Sequence, residues 1–128
     1  MSAIAFDIPE DILAMREGLR AFAEAEILPR HEANHNLFED QRRLYDSDGR
    51  FSAELLNLIG EVRRTASKAG YYQMCVPEKL GGGGLGHLAY FVGFEELFHT
   101  CGPQNWLMLY AVSHWAFGPS RLLEKLTE

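Results

Sequence analysis

The stretch VPEKLGGGGLGH, Val76 to His87, decides how the rest of this chain is read. Gly81, Gly83 and Gly86 satisfy G-x-G-x-x-G, the spacing that lets backbone amides approach a dinucleotide pyrophosphate. That chemistry needs a strand running into the glycines, a helix leaving them, and an acid about twenty positions on for the ribose. Here the preceding YYQMCVP ends in proline, and after Glu96 the next acid is Glu124. No βαβ unit is visible around it. Lys79 stands before the glycines rather than after them, which also argues against a P-loop. Four consecutive glycines, Gly81 to Gly84, rule out regular structure, so the stretch reads as a turn between helices that contacts no nucleotide.

Outward from that turn the pattern is helical in both directions. Upstream, Leu55, Leu58, Ile59, Val62, Ala66 and Ala69 recur at helical spacing from a start near Ser52 to a stop at Gly70. YYQMCVP then reads as extended. Earlier still, Ile12, Met15, Leu19, Phe22, Ala23 and Ile27 form a first amphipathic stripe. Asp7 and Glu10 read as a capping box for it, with Pro9 in the first turn, and Pro29 should end or kink it near Leu28. The polar stretch from His31 to Phe51, with an Asp-Ser-Asp-Gly turn at Asp46 to Gly49, reads as a partly helical surface connection. Downstream, Leu88 to Phe98 is apolar almost all round, the mark of a helix buried on more than one side. TCGP breaks it at Thr100 to Pro103. A further apolar helix is predicted from Gln104 to Phe117, and SRLLEKLTE opens a last one after Gly118-Pro119. No alternating strand pattern and no repeat occur. The predicted fold is all-α, a compact array of about five helices forming one domain over residues 1–128.

Composition narrows the function classes. The chain has 12 Lys+Arg against 18 Asp+Glu, a net charge of -6, and its longest basic runs are Arg42-Arg43 and Arg63-Arg64. No basic stripe exists to neutralise phosphates, which argues against a nucleic-acid partner. No segment has the roughly 18 apolar residues of a membrane span, and the first residues lack a basic, then apolar, leader pattern. Cys75 and Cys101 in mostly apolar surroundings suggest a reducing, cytoplasmic setting.

HEANH, His31 to His35, matches the zinc-protease pattern H-E-x-x-H. That pattern works when the two imidazoles share one helix face and a third ligand completes the site. A metzincin would place a glycine and a third histidine where Phe38 and Gln41 stand, although Glu54 has a spacing that a glutamate ligand could accept. The motif begins two residues after Pro29, in a stretch with no apolar stripe to bury a metal. A solvated surface segment is the preferred reading, with no bound metal, and a zinc metalloprotease is the remote alternative.

Taken together, GYYQMCVPEKLGGGGLG (Gly70 to Gly86) and the following FEEL (Phe94 to Leu97) resemble the N-terminal helical domain of the acyl-CoA dehydrogenase family. LRAFAEAEILPRHE looks like that family's first helix with its terminal proline. LTE at Leu126 to Glu128 is similar to the start of its G-T-E-E-Q turn, with Leu126 in place of glycine. The resemblance implies a parent oxidoreductase with a β middle domain and a C-terminal helical domain. Such a parent oxidises acyl-CoA to trans-2-enoyl-CoA using FAD, which an electron carrier reoxidises.

The resemblance places the flavin mainly in the other two domains and the base in the C-terminal one, so neither a catalytic nor a cofactor residue is assigned here. No FAD is expected on the chain alone, which should be inactive. It implies that the helix after E-E-L forms one wall of the acyl pocket. Trp106, Leu109, Tyr110 and Ser113 recur on that helix and are the candidate substrate-binding residues, with plain core packing as their alternative. Glu95 and Glu96 are neighbours on a helix and so face different ways, which fits a salt bridge better than a catalytic pair. His99 and His114 read as core or interface histidines. A non-catalytic helical interaction module of the same fold is the rival function. Self-association is expected in either case, through a patch including some of Trp106, Leu109, Tyr110, Trp115 and Phe117.

Overall fold

The computed structural model describes residues 7–114 and 125–126. Five α-helices carry the fold: α1 (Glu10–Phe22), α2 (Leu28–Ala33), α3 (His35–Glu39), α4 (Ala53–Ala69) and α5 (Gly86–Cys101). Short 3-10 turns lie between them, and among the described residues there is no strand, only an isolated bridge between Tyr45 and Phe51. The all-α prediction is correct. The expected last helix lies outside the described residues except for Lys125 and Leu126, which are helical.

The caps of α4 follow local chemistry. Ser52 Oγ accepts from the Leu55 amide at 3.3 Å, satisfying a first-turn N–H. At the other end Gly70 takes φ 89°, and the Tyr71 amide donates back to the Ala66 carbonyl at 2.9 Å. The stripe between them, Leu55, Leu58, Ile59, Val62 and Ala66, is buried, while Ala69 is exposed.

The start of α1 differs from its prediction. Pro9 is the N-cap residue and no side chain caps it; the Asp11 carboxylate instead accepts from the Ile12 amide at 2.9 Å. Nor does the helix end before Pro29. A π turn, Ala23–Ile27, links α1 to α2, and the Leu28 amide donates to Ala23, five residues back. Proline in a helix removes one N–H and crowds the carbonyl four residues before it, here that of Ala25. The widened turn gives that ring room, so the helix runs on to Ala33. Ala23 and Ile27 are both fully buried, so the widening is packed rather than frayed.

α1 lies along α5. Leu19 is fully buried there, and a Cβ on Gly93 would stand 3.2 Å from its Cδ2 and 3.0 Å from Met74 Cε. A larger residue at 93 would hold the helices apart. Beside this contact Arg20 Nε donates to Glu96 Oε1 at 2.5 Å, and Thr100 Oγ1 donates to the same oxygen at 3.2 Å. Glu96 is only 6% exposed, so an unpaired carboxylate there would be costly; the Arg20 hydrogen bond holds it below the usual carboxylate range. Glu95 is exposed. The two acids do face different ways, and one forms an interhelical ion pair.

Residues 71–77 are turns rather than the extended segment predicted. The Met74 amide donates to Tyr71 at 3.3 Å and the Val76 amide to Gln73 at 3.1 Å, while Met74 and Cys75 are buried. The glycine loop closes over these turns. Gly82 donates to Pro77 (3.1 Å), Gly83 to Gln73 (3.0 Å), Gly84 to Val76 (2.9 Å) and Leu85 to Met74 (3.0 Å). The successive amides that a phosphate cradle would leave free are bonded to the chain itself.

Candidate functional site

After α5 the chain turns at Gly102, whose φ of 82° suits glycine alone. The regular helix predicted from Gln104 does not form within the described residues. Asn105 is buried and its Oδ1 accepts from the Met108 amide at 3.1 Å, starting a 3-10 turn, Leu107–Tyr110. Ala111 and Val112 bury, and the Ser113 amide donates to the Tyr72 carbonyl at 2.8 Å. That bond draws the backbone toward the Tyr72 turn, where a helix would need the donor for itself. Trp115 and Phe117, the far end of the predicted helix and part of the predicted association patch, lie outside the described residues.

A cleft of about 330 Å³ opens beside this turn, lined by Gln41, Pro103, Gln104, Asn105, Trp106 and Leu109. Two of the four candidate residues, Trp106 and Leu109, share it. Trp106 is half-buried, its ring edge-on to Phe51 with centroids 6.2 Å apart. Tyr110 is turned to α4, where the Arg63 guanidinium sits 5.0 Å above its ring; burial raises its pKa, and Arg63 opposes that. Ser113 is also half-buried, its Oγ buried with no hydrogen-bond partner among the described residues. Neither Tyr110 nor Ser113 lines the cleft. Sequence reading missed its carboxamides. Asn105, a helix-starting residue type shortly after Pro103, was legible as a cap. Gln41 comes from a distant segment and left no local signal.

A second cleft, about 440 Å³, lies at the glycine loop between Cys75, Pro77, Glu78, Lys79, Gly84, Gly86 and His87. It holds a thiol beside an imidazole, but burial pushes the Cys75 pKa up to about 11. The thiol therefore stays protonated near neutrality, which is the wrong state for a nucleophile. Cys101 is likewise a free thiol pushed up to about 11. His114 donates to or accepts from the Tyr90 hydroxyl at 3.0 Å and stacks on Phe94 at 5.6 Å, although its own surface is largely exposed. His99 is exposed at the end of α5, so it is not a core histidine, because it falls on the outward side of a helix whose inward side is set by Gly93 and Leu97.

The histidines of HEANH do not share a helix. The chain breaks at Asn34, φ -119°, between α2 and α3; His31 stacks on Phe38 at 4.5 Å, and His35 Nδ1 lies 3.1 Å from the Glu32 carbonyl. Among the described residues no three His, Cys, Asp or Glu side chains are grouped to hold a metal ion. His31 instead makes a pH-dependent contribution to stability. Its Nε2 is buried with no hydrogen-bond partner among the described residues, and burial lowers its pKa, against a smaller opposing pull from Glu32. The folded chain thus takes the proton less readily than the unfolded one. This contribution is full above the ordinary histidine pKa of about 6.5 and is lost as the pH falls below it. Urea midpoints at about pH 7.5 and about pH 5 should differ less in His31→Gln than in the unsubstituted chain. An unchanged difference would remove His31 from the account.

No described helix is long and apolar enough to cross a membrane. A family model for the acyl-CoA dehydrogenase N-terminal domain matches residues 9–120. Curated relatives include the short-chain specific acyl-CoA dehydrogenases, mitochondrial, of Bos taurus and Sus scrofa, 30% and 29% identical over 102 residues. Each alignment covers 80% of this chain and 20% of the relative, so the chain spans about a fifth of their length. No solved structure matches it significantly. The glycine loop, the α5 helix carrying Glu95-Glu96 and the turn after Gly102 all fall within the matched residues, and the chain belongs to the acyl-CoA dehydrogenase family through its N-terminal domain.

Proposed function

We propose that this chain is the helical domain that forms one wall of the acyl pocket in an FAD-dependent acyl-CoA dehydrogenase, whose middle β domain and C-terminal helical domain complete it. The single supporting observation is the cleft beside the 3-10 turn, where Trp106 and Leu109 give an apolar surface edged by Gln41, Gln104 and Asn105. An acyl thioester needs that combination, apolar contact for the chain and amide groups at its margin. Tyr110 and Ser113 would reach the substrate only from behind this wall. In the whole protein the reaction is α,β-dehydrogenation of an acyl-CoA, and an electron carrier removes the electrons. The relatives' names suggest short acyl chains and a mitochondrial setting; the two free thiols fit that compartment as well as the cytoplasm.

The glycine loop does not fit a flavin phosphate site. The one loop with phosphate-cradle spacing has bonded its amides to the Gln73–Pro77 carbonyls. Flavin binding and the base belong, on this reading, to the rest of the parent. Two measurements test it. Purified residues 1–128 should neither retain flavin nor bleach it with acyl-CoA. A hybrid in which this chain replaces the matching region of the bovine short-chain enzyme should load flavin and oxidise a short-chain acyl-CoA, and Trp106→Ala in that hybrid should change KM while a change at the exposed Lys68 of α4, Lys68→Ala, does not. A flavin-loaded hybrid that cannot bind acyl-CoA would overturn the pocket assignment and leave the non-catalytic module.

A further inference from the structure

We infer that the cleft beside the 3-10 turn selects acyl groups whose far end carries a neutral oxygen acceptor, such as a ketone or amide carbonyl, and that Asn105 is the residue that reads it. The inference rests on the acyl-pocket reading and goes beyond it to the class of acyl chain. A wall for plain hydrocarbon would be apolar throughout. Here Gln41, Gln104 and Asn105 bring carboxamides to the lining beside Pro103, Trp106 and Leu109. Gln41 and Gln104 are exposed, as surface glutamines ordinarily are. Asn105 is only 3% exposed.

Buried polar side chains are as a rule bonded at each polar atom. Asn105 meets that rule at one end only. The Met108 amide donates to its Oδ1 at 3.1 Å, and because an N–H is met by the oxygen of a carboxamide and not by its nitrogen, the group has one orientation. That leaves Nδ2, with two hydrogens to donate and no hydrogen-bond partner among the described residues. Nδ2 is also not one of the unpartnered atoms sealed from solvent, and the opening that Asn105 lines is this cleft. A hydrocarbon end seated here would displace water from Nδ2 and return no bond. Charge narrows the choice further. No ionisable side chain lines the cleft and the chain carries -6, so nothing offsets the desolvation of a carboxylate. A neutral carbonyl, its alkyl part against Trp106 and Leu109, meets both demands.

The test titrates the isotope-labelled 128-residue chain with hexan-2-one and follows the Asn105 side-chain NH2 and the Trp106 indole N–H by NMR. Both signals should shift saturably, with the Asn105 protons moving downfield. Asn105→Ser keeps an oxygen able to cap the turn, and an unchanged Met108 amide signal shows the turn intact. In that variant the Trp106 shift should need about tenfold more ketone, the equivalent of one hydrogen bond. Hexanoate, an anion with the same number of carbons, should give no saturable shift. In the hybrid with the bovine short-chain enzyme, Asn105→Ser should lower kcat/KM for 5-oxohexanoyl-CoA relative to hexanoyl-CoA by a similar factor. Four results would each overturn the inference while leaving the pocket wall standing: no ketone shift, a shift undiminished in Asn105→Ser, an equal shift with hexanoate, or a thioester ratio that the variant does not move. A flavin-loaded hybrid that binds neither thioester would overturn both readings.

Discussion

Gly82→Ala should destabilise the domain by about 2–4 kcal/mol, more than any other glycine-to-alanine change in the described chain. A Cβ at this position would be driven into the carbonyl oxygen, carbonyl carbon and Cβ of Val76, well inside contact distance. Most of that obstacle is backbone, so no rotamer change can relieve it. The loop would have to lift, and the bonds from Gly82, Gly83, Gly84 and Leu85 to residues 73–77 would stretch together. Two comparisons isolate the cause. Gly81 has φ 88° and open space around its missing Cβ, so Gly81→Ala should cost only about 1 kcal/mol, from backbone strain. Gly60 lies inside α4 with only the Arg64 guanidinium near, a group that can swing away, so Gly60→Ala should be neutral or stabilising. Chemical denaturation of the three variants orders these effects. Equal losses at 81 and 82 would show that conformational freedom, rather than contact with Val76, is what the loop requires.

Leu19→Ala should cost about 3–5 kcal/mol, roughly 10–20 °C in Tm for a domain of this size. Leu19 is fully buried where α1 crosses α5, and its Cδ2 occupies the space beside the missing side chain of Gly93. Its removal leaves a void between two helices that Arg20 and Glu96 hold in register, so the gap cannot simply close. Adding Gly93→Ala to Leu19→Ala should recover part of the loss, because the new methyl enters the vacated space. In the unsubstituted chain that same methyl meets Leu19 Cδ2 and Met74 Cε. The two changes should therefore couple in a thermal double-mutant cycle. Simple additivity would mean that the helices do not pack at the distance described.

The parts of the fold legible in the sequence are those written by neighbours. Ser52 and Gly70 delimit α4 through bonds to residues three or four away, and helical spacing alone shows its stripe. Asp46 builds its turn in the same way, its carboxylate accepting from the amides of Asp48 and Arg50. Elsewhere the deciding partner is remote. Residues 71–77 were unreadable as turns because the carbonyls that fix them bond to the glycine loop. The apolar run from Gln104 looked helical, yet Asn105 and the bond from Ser113 to Tyr72 coil it differently. The cleft was half legible for the same reason: Trp106 and Leu109 announce themselves as apolar, whereas Gln41 joins them only through tertiary packing.

The π turn at Ala23–Ile27 and Pro29 constrain each other across generations. A turn with one extra residue can arise by a single-codon insertion, and the widened turn takes up the rotation of about 100° that the insertion would otherwise pass to everything beyond it. Deleting that residue alone would close the turn and press the proline ring against a carbonyl, one residue before Arg30, whose partner on α4 is Glu61 at 3.2 Å. Replacing Pro29 alone would leave a widened turn with nothing to accommodate. Lineages that lose one feature should therefore lose both, and a descendant with an unbroken α-helix here should carry a shorter helix and no proline.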